Sequence, residues 1–143
     1  MGLLNKLFTS SSASNAQNKY HLFVYGTLLG GAHNDMSQFL AKHSEYVGKG
    51  YFQGRLYQVD WYPAAILSDQ STDKVFGSVY KMTNVPYVLR VLDIYEGVDE
   101  GAFKRVLVDV NLDTKTTCNC WVYLYNQPTS NLKQILSGDF LNP

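Results

Sequence analysis

The sequence predicts an α+β domain: a small mixed sheet, partly closed like a barrel, with flanking helices. Three observations predict it. Short β-branched and aromatic runs recur between turn residues, two segments carry helical apolar spacing, and glycines at 48, 50 and 54 interrupt one long strand. Such glycines mark the bulges and bends that a strongly coiled sheet requires.

The 143 residues suit one domain large enough to bury a core without disulfides or metal. At 45% hydrophobic and 17% charged, the composition is that of a globular chain. The 11 tyrosines and 7 phenylalanines suit both a packed core and a cleft lined by rings. Twelve basic and twelve acidic residues give a net charge of +0, so no field of one sign exists to hold nucleic acid or an anionic membrane. No apolar run approaches the ~20 residues of a spanning helix, which excludes stable membrane insertion by that route. Met1 to Phe8 holds too short an apolar stretch for a secretory signal, and Lys6 stands where myristoylation needs Ser or Thr. Cys118 and Cys120 are two apart, on one face of a strand, and pair poorly; with His21, His33 and His43 scattered they form no zinc pattern. The expectation is reduced thiols in a cytoplasmic protein, with no metal.

Residues 1–19 read as a flexible tail. Leu3, Leu4, Leu7 and Phe8 would share a face of a short helix, a weak contact for a partner or membrane, and Thr9 to Lys19 is a Ser-, Asn- and Ala-rich linker. The domain then runs over 20–143. Tyr20 to Val24 is an apolar strand that opens into Tyr25-Gly26-Thr27-Leu28-Leu29-Gly30-Gly31. Two readings of that loop stand: its N–H groups form a nest for a carboxylate, or its glycines only ease a strand-to-helix turn. Asp35 to His43 carries Met36, Phe39 and Leu40 at helical spacing, with Asn34 or Asp35 as cap. Tyr46 to Tyr57 is the glycine-broken strand, Trp61-Tyr62-Pro63 a turn, and Ala64 to Leu67 and Val75 to Met82 are strands. A helix starts at Asn84-Val85-Pro86 with Asn84 as cap. Its apolar side is Val88, Leu89, Val91, Leu92 and Tyr95; Arg90 and Asp93 lie off that side and should meet water. It stops at Glu96-Gly97. Phe103 to Val110 and Cys120 to Tyr125 are strands of a hairpin, Leu132 to Leu136 a last helical turn, and Gly138-Asp139-Phe140 closes the chain.

Glu96 follows an apolar helical face and precedes a glycine. At the rim of a core its carboxylate would be desolvated and become a good proton acceptor; in bulk water it would be an ordinary glutamate in a last turn.

Val24-Tyr25-Gly26-Thr27-Leu28, Leu92-Asp93-Ile94-Tyr95-Glu96-Gly97, Phe103-Lys104-Arg105 and Trp121-Val122-Tyr123 resemble, in order and spacing, the γ-glutamylcyclotransferase-like family. The resemblance covers about Tyr20 to Phe140. It is closest to the small bacterial branch and to γ-glutamylamine cyclotransferases, including the Ser137-Gly138-Asp139-Phe140 ending. It implies that family's barrel-like fold and a cleft for the γ-glutamyl group of a small-molecule substrate. It implies that Tyr25, Gly26, Thr27 and Leu28 bind that substrate through backbone amides, and that Glu96 is the general base. The reaction implied is attack of the substrate's α-amine on its own γ-carbonyl, giving 5-oxoproline and a free amine without any cofactor. Two features depart from the family pattern. Phe103 stands where a Tyr-x-Arg motif has its tyrosine, and Glu100 is a rival carboxylate. The alternative is a non-catalytic small-molecule binding module that retains the cleft. Specificity should lie in the segments Gln58 to Pro63 and Gly97 to Ala102, while the leaving group and the oligomeric state are not readable.

Overall fold

The apolar run that opens the domain is a strand buried on both faces. In the computed structural model, which describes residues 19–26 and 35–143, this is β1 (His21–Val24). Side chains alternate across a strand. Phe23 therefore joins one buried cluster with Phe52, Val75, Val79 and Val122, while Leu22 and Val24 join another with Leu40, Val88, Leu89 and Leu92. That double burial explains a continuous apolar run rather than an alternating one.

The other elements follow as α1 (Asp35–His43), β2 (Ser44–Val59), β3 (Tyr62–Leu67), β4 (Lys74–Met82), α2 (Val85–Tyr95), β5 (Phe103–Leu112), β6 (Thr117–Tyr125) and β7 (Lys133–Gln134). β1 lies between β4, antiparallel to it, and β6, parallel to it. β5 and β6 form the expected hairpin, from Phe103↔Tyr125 to Asn111↔Thr117. The order β2-β4-β1-β6-β5 is closed into a ring by Gly50↔Leu112 and Tyr51↔Asn111. The barrel is thus a closed ring of five strands. Closure brings two backbones so near that a Cβ on Gly50 would sit 2.5 Å from the Asn111 carbonyl oxygen.

The length of β2 lets it serve two sheets. Residues 44–53 pair with β4, with a bulge between Tyr46 and Gly48, and residues 54–59 turn away to pair with β3. The first buried cluster fills the barrel. The second lies between the barrel and the helices, and each Leu or Val sealed there contributes about 1.5–3 kcal/mol. No helix among the described residues is long and apolar enough to cross a membrane. Cys118 and Cys120 are free, and burial pushes the Cys120 thiol pKa upward.

Three local expectations are corrected. Leu132 to Leu136 is not a helical turn: Lys133 and Gln134 pair with Gln58 and Tyr57 as β7, extending the second sheet. Asn84 precedes α2, but at φ 48° its side chain makes no capping bond. Its backbone carbonyl instead accepts from the N–H groups of Tyr87 and Val88. Tyr62 and Pro63 belong to β3, and the turn sits at Asp60 and Trp61. The expectations for the tail up to residue 18, and for Asn34 as a cap, fall outside the described residues.

Candidate active site

Three chain stops converge on one cavity of about 330 Å³, a volume suited to a small ligand. Its wall comes from residues 22–26 at the end of β1, residues 61–63 at the start of β3, and residues 95–97 at the end of α2; Ala102, Phe103 and Tyr123 complete it.

The end of α2 aims the one carboxylate. Gly97 adopts φ +67°, a left-handed conformation that side chains resist. Its N–H donates to the Ile94 carbonyl at 3.1 Å, and the Val98 N–H donates to the Asp93 carbonyl at 3.0 Å. Those paired bonds are a Schellman stop, which is why Tyr-Glu-Gly ends the helix here. The Ala102 N–H then donates to the Gly97 carbonyl at 3.0 Å and brings the next strand back to the cavity. Glu96, at the C-cap, is left half-buried on the cavity wall. Gly97→Ala is expected to cost about 1–2 kcal/mol, read as a lower urea midpoint. Besides the strained φ, its Cβ would meet that of Ala102 at 3.2 Å.

Burial raises the Glu96 carboxyl pKa from 4.5 to about 7. Among the described residues no side chain donates a hydrogen bond to it and no Lys or Arg lines the cavity, so no described group offsets desolvation. The result is a carboxylate that exchanges protons near neutrality.

Asp93, one turn before the stop, does not simply face water as expected. Its Oδ1 accepts from Arg105 Nε at 2.8 Å and from the Tyr123 hydroxyl at 2.7 Å, and its Oδ2 accepts from Arg105 Nη2 at 3.1 Å. Burial pushes its carboxyl pKa up. The bonds from Arg105 and Tyr123, with the Arg105 charge, outweigh that and hold it below the usual value. The Arg105 guanidinium in turn stacks 4.5 Å over the Trp121 ring. A fork of this kind ties α2 to both strands of the hairpin.

Tyr25 extends the frame. Its hydroxyl donates to the Tyr123 carbonyl at 2.5 Å and accepts from the Ala65 N–H at 3.1 Å. Burial drives its pKa far upward, so it stands as a neutral phenol clamping the end of β1 between β6 and β3. Beside it, a Cβ on Gly26 would sit 2.9 Å from Pro63 Cγ, so a side chain there would crowd the wall.

Of the residues expected in the site, Tyr25, Gly26 and Glu96 share the cavity wall; Thr27 and Leu28 lie outside the described residues. Glu100 is exposed and off that wall. Phe103 places its ring on the wall, 6.2 Å from Tyr62 and 5.6 Å from Tyr125 by centroids. Trp61, Tyr62 and Pro63 come from a segment expected to govern specificity. Tyr123 stood in a motif that carries the resemblance but was given no role in the site, because it sits mid-strand among apolar neighbours.

A family model described as "Gamma-glutamyl cyclotransferase, AIG2-like" matches residues 22–142. The chain is 28% identical over 122 residues to the gamma-glutamylcyclotransferase family protein YtfP of Escherichia coli (strain K12), covering 85% of this chain and 96% of that one. Among solved structures, YkqA from Bacillus subtilis superposes with a TM-score of 0.67 at 22% identity, over 86% of this chain and 40% of that one. An AIG2-like protein from Mus musculus does so with a TM-score of 0.61 at 24% identity, over 73% of this chain and 76% of that one. At these identities the two structures share the fold.

Proposed function

The chain belongs to the gamma-glutamyl cyclotransferase, AIG2-like family, and on that premise we propose that it converts a γ-glutamyl amine or small γ-glutamyl peptide into 5-oxoproline and the free amine, with Glu96 as general base. The observation that carries this reading is the Glu96 carboxylate itself, half-buried on a cavity wall whose other described residues are uncharged, with its pKa raised to about 7.

The substrate's α-ammonium first gives a proton to Glu96. The freed amine attacks the γ-carbonyl carbon, forming the ring C–N bond, and the amide C–N bond then breaks. Overall two protons leave the α-nitrogen and both end on the departing nitrogen, which leaves as an ammonium; Glu96 relays them. No water is consumed. Because nucleophile and electrophile share one molecule, holding the chain curled supplies much of the rate, up to roughly 7–11 kcal/mol in well-oriented cases. Backbone amides at Gly26 and in the loop carrying Thr27 and Leu28 are proposed to hold the glutamyl end. The network through Asp93, Arg105, Tyr123 and Tyr25 keeps the wall rigid around it.

The test is 5-oxoproline release from γ-glutamyl alkylamides, γ-glutamyl dipeptides and glutathione, followed across pH. Protonated Glu96 cannot accept a proton, so kcat/KM should fall about tenfold per pH unit below an acidic limb near 7. Folded protein that binds these compounds but releases no 5-oxoproline would instead be a binding module.

A further inference from the structure

Resting on the cyclisation reading, we infer that Trp61 forms the subsite for the departing amine, and that this amine carries an apolar, preferably aromatic, group and no carboxylate.

The cavity has a direction. Of the residues lining it, Trp61 and Tyr95 are the exposed ones, at 70% and 41%, so they mark its mouth. Gly26 and Glu96 are more enclosed. A γ-glutamyl group held at Glu96 sends its amide substituent outward past Trp61. The Trp61 ring meets Tyr62 edge to face, with centroids 5.1 Å apart at 73°, yet keeps most of its surface open. An indole so exposed at a cavity mouth offers a flat apolar face to whatever emerges.

Charge narrows the class further. Among the described lining residues Glu96 is the only charged side chain. A leaving amino acid would bring a further carboxylate past a wall on which no described cation stands to pair with it. A simple aryl or alkyl amine brings no such charge. Once it takes up its protons, the departing ammonium is attracted both to the indole face and to Glu96.

Glutaric acid monoamides lack the α-amine and cannot cyclise, so their binding to the active protein reads the subsite without turnover. The probes are the N-benzyl, N-propyl and N-carboxymethyl monoamides, titrated calorimetrically against the full chain, Trp61→Ala and Trp61→Phe. The N-benzyl compound should bind roughly tenfold more tightly than N-propyl, and N-carboxymethyl weakest of all. Trp61→Ala should collapse the benzyl-to-propyl ratio towards one, while Trp61→Phe retains most of it. Equal binding of the N-carboxymethyl compound, or a ratio untouched by Trp61→Ala, overturns the inference and leaves cyclisation standing. The expected ranking, together with no 5-oxoproline from any γ-glutamyl benzylamide or propylamide, would keep the Trp61 subsite and overturn the reaction.

Discussion

Replacing Glu96 by glutamine is expected to abolish 5-oxoproline release and, in the same protein, to stabilise the fold above pH 7. The loss of activity should be about 10²–10⁴-fold, the usual worth of a positioned general base. The gain in stability follows from burial. In the folded chain the Glu96 carboxyl titrates at about 7, against 4.5 for a free one. Between those values the folded state holds a proton that the unfolded state has released, so stability falls as pH rises through the window and levels off above it. Glutamine carries no charge to desolvate. At pH 8 the variant should therefore be more stable by up to about 3 kcal/mol, and at pH 4 the two proteins should melt alike. Thermal melts at both pH values beside the activity assay check this. A variant that is inert and also destabilised would make Glu96 a structural residue.

The second large effect is expected at Asp93. Asp93→Ala removes three hydrogen bonds to one carboxylate and leaves the Arg105 guanidinium with its Trp121 ring contact and the Tyr123 side chain. The two side chains are 28% and 24% exposed, so water tempers the loss. Unfolding should become easier by about 2–3 kcal/mol, with a Tm lower by roughly 5–10 °C. The Schellman stop begins at the Asp93 carbonyl, and the fork anchors that turn, so kcat should fall as well. The acidic limb of the pH profile should stay near 7, since Asp93 does not line the cavity. A melting point unchanged within error would show that the fork is not what holds α2 to the hairpin.

How far the sequence spoke can be argued from these residues. β1 was legible because a strand buried on both faces must be apolar throughout, and the β5–β6 hairpin because its strands are adjacent in the chain. The place of Glu96 at a helix end was legible because helix stop, glycine and carboxylate stand side by side, but whether it met water or the rim of the core was not. Asp93 was misread because helical periodicity shows only which face is apolar. It does not show that a strand twelve residues on brings Arg105 back to meet it. β7 was misread for a related reason: two residues that pair with Tyr57 and Gln58 have no local pattern distinguishing them from a helical turn. Trp61 and Tyr123 share one cavity because β3 packs against β6, a long-range fact that no window of sequence holds.

That ring has a consequence for how the molecule is made. β1 leaves the ribosome before the other strands of the ring, yet its parallel neighbour β6, at Leu22↔Trp121, is the last of them to follow. Until then β1 has one free edge and the barrel a gap. Local contacts alone therefore cannot complete the domain, and folding should be a single late event, slower than that of a helical protein of equal size. In the interval an unpaired apolar strand is exposed, which makes nascent or truncated chains ending before β6 the forms most prone to aggregate.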